Sequence, residues 1–256
     1  MKNIILSIFI GLTAFFSACN PIEDRFEMGP KLPADKIDAT VTSIDGTNKI
    51  VLKNNTLSVS GAWDYKFGVS PKMVDTVVVP VVGTYSVTYI ATTDGGLVYK
   101  DIPVTINEMK YPVPGYSELT GNGAGKTWIY DKSDGKYCYL GPNNPAKWQS
   151  VWWNPGSNGY EDAEIDFSID GANTVYKMVN EGNEETGSFL LDMANMKLTI
   201  VGAHLPDYEY TGDESGVYTI SVLDDGSLVL YQERTAAAGG NGWFWRFVPK
   251  DQAGPK

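Results

Sequence analysis

Histidine is nearly absent from this chain, with His204 as its single example. A Ser–His–Asp triad or a Cys–His dyad needs a histidine beside its nucleophile, and protein zinc sites are built mainly from several histidine and cysteine ligands. His204 lies between Gly202 and Pro206, which is typical of an ordinary loop position. The shortage of histidine therefore argues against several classes of hydrolase and against a histidine-rich metal centre.

Cysteine is also scarce, with Cys19 and Cys138 as the two examples. Residues 1–18, MKNIILSIFIGLTAFFSA, have a basic start, an apolar middle and a small-residue end, which predicts a signal peptide. The ending Phe16-Ser17-Ala18-Cys19 resembles a bacterial lipobox, which implies lipidation of Cys19; ordinary cleavage beside an incidental cysteine is the alternative. Cys138 then lacks an intrachain partner, and its strand-like surroundings predict a small buried hydrophobe.

Long apolar runs are missing after residue 18, since no stretch reaches the roughly 18 residues that a membrane helix needs. We therefore expect attachment to a membrane through lipid alone, at the outer membrane and facing the cell exterior. Basic residues are outnumbered, with 20 Lys and Arg against 31 Asp and Glu and a formal net charge of -11. Such a balance argues against nucleic acid and anionic membrane surfaces as partners and favours a neutral ligand.

Helical spacing is absent, because no segment after the signal peptide repeats its apolar residues at helical intervals over three turns. Short alternating runs separated by turn residues predict an all-β fold. The expected fold is a small immunoglobulin-like or PKD-like sandwich followed by a larger antiparallel, jelly-roll-like sandwich. The predicted order is a signal peptide at 1–18, a lipidated tether at 19–36, a sandwich spacer at 37–108, a linker at 109–117, an aromatic-rich ligand-binding sandwich at 118–250 and a tail at 251–256.

The spacer prediction depends on a clean period-2 segment. Residues 83–89, GTYSVTY, followed by Gly96 and Val104-Thr105-Ile106, resemble the closing strands of PKD-like and immunoglobulin-like domains of bacterial surface proteins. The resemblance implies a spacer without an active site. Trp63 is expected in its core, and the two prolines of the linker predict a stiff, extended connection.

The segment 141–160, GPNNPAKWQSVWWNPGSNGY, is the most informative stretch for function. Its glycines, prolines and asparagines predict a loop, yet it holds three of the seven tryptophans. Indoles in a loop either plug the end of a core or form a surface on which a sugar ring stacks. Our hypothesis is the second alternative, in which sugar rings stack on tryptophans and their hydroxyls bind to asparagines. The expected stacking residues are Trp148, Trp152, Trp153 and Trp243, and the expected hydroxyl-binding residues are Asn143, Asn144 and Asn154.

Two details of the tryptophan hypothesis concern exposure. Adjacent residues of a regular strand point to opposite faces, so one of Trp152 and Trp153 is expected in the core. Trp243 follows a loop of small residues at 236–242 and is therefore the best candidate for exposure in the closing segment Trp243-Phe244-Trp245-Arg246-Phe247.

The acidic segment Glu164-Ile165-Asp166-Phe167 suggests two further ligand-binding residues, Glu164 and Asp166. It resembles the start of the Glu-x-Asp-x-(x)-Glu strand of laminarinase-like glycosidases, which implies a carboxylate pair for retaining hydrolysis. The second glutamate of that motif should fall at Ser168 or Ile169, and neither residue can protonate a leaving group. We therefore expect no enzyme activity and no cofactor; a glycosidase with a distant acid and a calcium site on the acidic face remain open alternatives.

The whole architecture resembles the surface glycan-binding lipoproteins of Bacteroidota-type polysaccharide-utilisation systems. The features that carry the resemblance are the lipobox at Cys19, the spacer-like strands at 83–106, and the opening Trp128-Ile129-Tyr130-Asp131 and aromatic closing segment of the second domain. The resemblance implies non-catalytic capture of a polysaccharide or oligosaccharide and its delivery to an outer-membrane transporter complex. A structural or adhesive surface lipoprotein with protein partners is the alternative.

Overall fold

The computed structural model describes residues 29–156, 159–171, 173–206, 211–234 and 240–252. The predicted signal peptide, the lipidation site Cys19 and most of the tether lie outside the described residues. The all-β prediction is confirmed, because the described chain forms sixteen strands and the single α-helix among them, α1 (Tyr116–Thr120), has five residues. None of the helices in these ranges is long and apolar enough to cross a membrane.

The first domain consists of seven strands in two antiparallel sheets. One sheet has the order β1-β2-β5 and the other the order β4-β3-β6-β7. The strands are β1 (Ala39–Ser43), β2 (Lys49–Asn54), β3 (Ser60–Asp64), β4 (Val69–Ser70), β5 (Val74–Val78), β6 (Gly83–Thr93) and β7 (Gly96–Ile106).

Both sheets of the first domain bury one face in a common hydrophobic cluster. Tyr85, Val87 and Tyr89 alternate with more exposed residues along β6, as the period-2 pattern predicts. They meet Leu52 of the opposite sheet, and Trp63 is fully buried among them as expected. Two sheets over one core are compatible with the predicted immunoglobulin-like sandwich.

The second domain is a closed barrel, so the predicted two-sheet sandwich is wrong for this part of the chain. Each of its eight strands pairs antiparallel with the next, and the last strand returns to pair with the first. These strands are β8 (Lys126–Tyr130), β10 (Glu164–Asp170), β11 (Asn173–Asn180), β12 (Asn183–Asp192), β13 (Lys197–Val201), β14 (Val217–Leu223), β15 (Leu228–Glu233) and β16 (Asn241–Pro249). Closure pairs the strand edges that an open sheet would expose, which is its physical advantage.

The remaining strand, β9 (Cys138–Pro142), continues along the edge of β16 that β8 also uses. The second half of β16 pairs with β8 and its first half with β9, with Trp245 opposite Cys138. Cys138 is buried in the barrel core, in agreement with the prediction of a small hydrophobe.

The inside of the barrel is a packed aromatic core. Alternate residues of each strand point inward, and an eight-stranded barrel is just wide enough for side chains to fill it. The inward-facing residues include Trp128, Tyr130, Phe167, Tyr176, Phe189, Tyr218, Trp243, Trp245 and Phe247. The loops at the two ends and the outer wall are therefore the places where this domain presents polar and aromatic groups to a partner.

Strand directions divide the connecting segments between the two ends of the barrel. Helix α1 precedes β8, and its Tyr116 and Leu119 join the barrel core at the end where β8 begins. Trp128 fixes this contact, since its indole Nε1 donates a hydrogen bond to Leu119 O at 3.0 Å. The segment between β9 and β10, which carries the tryptophan-rich loop, lies at the opposite end because β9 runs towards that end and β10 starts there.

The predicted linker is held firmly against the first domain. Asn48 is fully buried, and its side-chain amide donates to Val79 O at 2.8 Å and to Tyr111 O at 2.7 Å. Its Oδ1 accepts from Tyr111 N at 2.8 Å. Since buried polar groups are stable when their hydrogen bonds are satisfied, Asn48 fixes the course of the linker before it enters α1.

Phe67 joins the two cores at this junction. Its ring centroid lies 6.0 Å from that of Tyr85 in the first domain and 5.6 Å from that of Tyr116 in α1, edge-on in both cases. Phe67 packs against both hydrophobic clusters and is half-buried. The junction is thus a shared apolar contact.

Replacement of Phe67 by alanine should lower the melting temperature by several degrees. Loss of a half-buried ring that contacts two cores should cost about 1–3 kcal/mol, below the range for fully buried phenylalanine. Calorimetry measures the change, with Leu57→Ala as the control because Leu57 is 89% exposed in the same domain. An unchanged melting temperature in Phe67→Ala would contradict the shared contact.

Candidate functional site

Trp152 and Trp153 form an exposed aromatic pair, which we call the indole platform. Their exposed fractions are 58% and 54%. The expectation that one of them is core is wrong, because the segment bends and forms no regular strand; its pairing with β9 is an isolated bridge between Leu140 and Trp153. The alternation rule of a regular strand does not apply to such a bend.

The backbone of the indole platform is hydrogen-bonded to β9. Leu140 N donates to Trp153 O at 2.8 Å, and Trp152 N donates to Leu140 O at 2.8 Å. The ring of Trp153 also meets the ring of Trp243 edge-on, with centroids 5.9 Å apart and planes at 75°. The platform is therefore solvent-exposed on one side and fixed to the barrel on the other.

Trp243 is buried, and the expectation of its exposure is wrong. It is 3% exposed and belongs to the barrel core with Trp245 and Phe247. The opposite face of β16 carries Phe244, which is also fully buried. The strand is aromatic on both faces because one face fills the barrel and the other lies beneath the tryptophan-rich loop.

Trp148 is part of the tryptophan-rich loop that covers the outer face of β16. It is half-buried and packs, with Val151, against a small cluster formed by Tyr139, Val229, Tyr231 and Phe244. Its carbonyl oxygen accepts a hydrogen bond from the Tyr139 hydroxyl. Trp148 thus contributes to the folding of the loop, whereas the platform residues leave most of their surface to solvent.

The three asparagines expected to bind hydroxyls already have partners within the protein. Asn143 accepts from the Tyr231 hydroxyl at 2.5 Å and donates to Glu233 Oε1 at 2.5 Å. Asn144 caps the short 3₁₀ turn Pro145–Lys147 by accepting from Ala146 N at 3.0 Å. Asn154 donates to Gly135 O at 2.7 Å. These amides shape the loop that carries the platform.

Glu164 and Asp166 lie on the outer wall of the barrel, on the half-exposed face of β10. Glu164 Oε1 pairs with Lys250 Nζ at 2.5 Å, and Asp166 Oδ2 accepts from Thr127 Oγ1 at 3.3 Å. The alternation of acidic and apolar residues along β10 agrees with the sequence prediction. Within the described ranges, no group of three or more His, Cys, Asp or Glu side chains could hold a metal ion.

A cluster around Arg246 was missed at the sequence level. Arg246 lies on the outer face of β16, and its guanidinium donates to both carboxylate oxygens of Asp134 at 3.0 Å and to Asp131 Oδ2 at 2.6 Å. Its central carbon lies 5.7 Å from the Trp148 ring centroid. The signal in the sequence was a lone arginine within an aromatic strand, but its carboxylate partners lie more than a hundred residues earlier.

The electrostatics of this cluster favour the ionised forms. Partial burial acts to raise the pKa of Asp134, but hydrogen bonds from Arg246 and from the backbone of Lys136 hold that pKa below its ordinary value of 3.8. Burial acts to lower the pKa of Arg246, and its aspartate partners raise it above the ordinary value. The ion pairs are therefore formed at neutral pH.

Comparison with known protein families and with curated proteins finds no match to this chain. The fold and site define an all-β protein in which a closed eight-stranded barrel carries a fixed, exposed pair of indoles at the end away from the first domain.

Proposed function

We propose that this protein binds a neutral polysaccharide or oligosaccharide without cleaving it, by stacking sugar rings on Trp152 and Trp153. The observation that carries the proposal is the indole platform: two adjacent tryptophans remain more than half exposed on a backbone that is hydrogen-bonded to β9. Tryptophan offers a large rigid contact area at low conformational cost. A flat, exposed aromatic face suits the apolar face of a sugar ring, whereas a loop that only plugs a core would bury its indoles.

The position of the platform supports a role at a cell surface. The start of the described chain packs against the turn between β6 and β7, where a Cβ atom at Gly95 would lie 2.2 Å from Lys31 N. The linker leaves from the other end of β7, whose 11 residues span about 36 Å at roughly 3.3 Å per residue. The barrel follows, with the platform at its far end. This order suits a lipid anchor at Cys19 and delivery of the ligand to an outer-membrane transporter.

Affinity electrophoresis of the chain from residue 20 onwards tests the proposal. Gels containing β-glucans, α-glucans, mannans, xylans or pectins are compared with gels lacking polysaccharide, and release of reducing ends is measured in parallel. We expect retardation by one class of glycan without release of reducing ends. Release of reducing ends would favour the glycosidase alternative, and an absence of retardation with every glycan would favour a protein partner for the platform.

A further inference from the structure

Asn154, the residue that follows Trp153, connects the loop that carries the indole platform to a neighbouring turn of the chain. The side-chain Nδ2 of Asn154 donates to Gly135 O at 2.7 Å, and its Oδ1 accepts from Gly156 N at 3.2 Å. Both atoms of the amide are therefore engaged, one within the loop and one with a separate turn at residues 131–137.

This second turn is itself fixed to β16. Arg246 donates to Asp134 and to Lys136 O, the latter at 3.2 Å, and its backbone N donates to Tyr137 O at 2.7 Å. Tyr137 adds another connection, because its hydroxyl donates to Gly156 O at 2.8 Å. A continuous set of hydrogen bonds thus leads from the barrel wall through the turn to the residues beside Trp153.

We propose that Asn154 is a positioning residue that sets the orientation of the Trp152 and Trp153 indoles, with the Arg246–Asp134 ion pair as its support. The inference rests on the proposed function in that the oriented surface is the glycan platform. It adds a structural role to the hydroxyl binding expected for Asn154 from the sequence, because both atoms of its amide are already hydrogen-bonded within the protein. Platform residues that are ordered before binding lose less conformational freedom when a ligand binds.

Acid should release this support in a defined direction. The charged groups around Arg246 are Asp131, Asp134 and Lys136, and the nearby Tyr139 stays neutral because burial raises its pKa. A carboxyl whose pKa is lowered on folding contributes stability above its ordinary pKa, and that contribution is lost as the pH falls through the folded-state value. For Asp134 this window lies below 3.8.

The test uses the order of individual indoles in the protein without any ligand. In the chain from residue 20, the NMR signals of the tryptophan side-chain N–H groups are recorded, and those of Trp152 and Trp153 are assigned through Trp→Phe variants. We expect Asn154→Ala and Asn154→Asp to increase the motion of these two indoles and to leave Trp63, Trp128 and Trp245 unchanged. Asn154→Asp is informative because it keeps the acceptor for Gly156 N and removes the donor to Gly135 O.

The matched control is Asn195→Ala. Asn195 is exposed whereas Asn154 is half-buried, but it likewise donates through its side chain, to Asp192 at 2.7 Å, in the turn between β12 and β13 at the other end of the barrel. Its removal should leave the platform indoles unchanged. Arg246→Lys keeps the charge but loses the second guanidinium nitrogen, so one side chain can no longer hold Asp131 through Nη2 and Asp134 through Nη1. It should therefore increase the motion of the same two indoles, and if this variant does not fold, the Asn154 variants provide the test.

A pH series separates positioning from a general structural role. The platform indoles of the unmodified protein should gain motion as the pH falls below 3.8 and through the lowered pKa at which Asp134 accepts a proton. Asp134→Asn should show that motion already at neutral pH and no further acid step. Unchanged indole motion in both Asn154 variants, or an acid response that Asp134→Asn retains in full, overturns the inference.

Affinity provides the second readout. For the glycan found by electrophoresis, Asn154→Ala should bind about tenfold more weakly, because side chains that must be ordered on binding reduce affinity. Loss of binding in the tryptophan variants Trp152→Ala and Trp153→Ala, with full binding in the Asn154 variants, would contradict the positioning role alone. Full binding in the tryptophan variants would contradict the proposed function alone, and the NMR result would still decide the positioning role.

Discussion

Replacement of Trp152 and Trp153 together by alanine is expected to abolish retardation by the glycan that the protein binds. By analogy with stacking of nucleic-acid bases on aromatic side chains, each ring should contribute about 1–3 kcal/mol. This range corresponds to a loss of roughly 5- to 150-fold in affinity for each single variant. Isothermal titration with a soluble oligosaccharide of the retarding glycan measures the loss directly.

Tyr99→Ala is the matched control for this experiment. Tyr99 is 58% exposed, as Trp152 is, but it lies on β7 of the first domain. Its removal should leave affinity unchanged, so an effect confined to the platform cannot be attributed to loss of an exposed ring in general. Trp152→Ala should also keep its melting temperature, since substitutions of exposed residues usually change stability by about 0.5 kcal/mol or less. If both single variants and the double variant bind the glycan with the affinity of the unmodified protein, stacking on the platform is refuted.

The sequence indicated that exposed indoles lie in the loop at residues 141–160, but it did not indicate which tryptophans are exposed. Composition alone indicated that residues 141–160 form a loop with several indoles, because Pro, Gly and Asn act locally. Which indoles are exposed depends on partners far away in sequence. Trp243 is buried because the barrel closes around it, and Trp148 is half-buried because it covers the outer face of β16.

The barrel itself shows the same limit. Alternation and turn residues predicted antiparallel strands, and neighbours such as β10 and β11 do pair as consecutive hairpins. Closure is decided by the pairing of β16 with β8, for example of Pro249 with Trp128, two residues that no local pattern connects. A sandwich and a barrel made of the same strands have similar local sequences, so the choice between them depends on these distant pairings.

Trp245→Ala is expected to be the most destabilising single change in the barrel. Trp245 is fully buried, lies edge-on to Tyr218 with centroids 5.7 Å apart, and donates from Nε1 to Pro206 O at 2.8 Å. Truncation of a buried tryptophan costs about 3–5 kcal/mol, and the carbonyl of Pro206 loses its partner as well. Since domains are stable by only about 5–15 kcal/mol, this loss removes a large part of the stability of the barrel.

Urea unfolding monitored by circular dichroism measures this loss of stability. Trp245→Phe separates the cost of the lost hydrogen bond from the cost of the lost ring volume. Phenylalanine keeps most of the ring volume but cannot donate to Pro206, so its cost should lie between zero and that of alanine. The first domain has a hydrophobic cluster of its own around Trp63, so its strands should remain folded at urea concentrations that unfold the Trp245→Ala barrel. A loss below about 1 kcal/mol in Trp245→Ala would contradict a tightly packed interior, because only a loosely filled barrel could lose this indole without leaving a cavity.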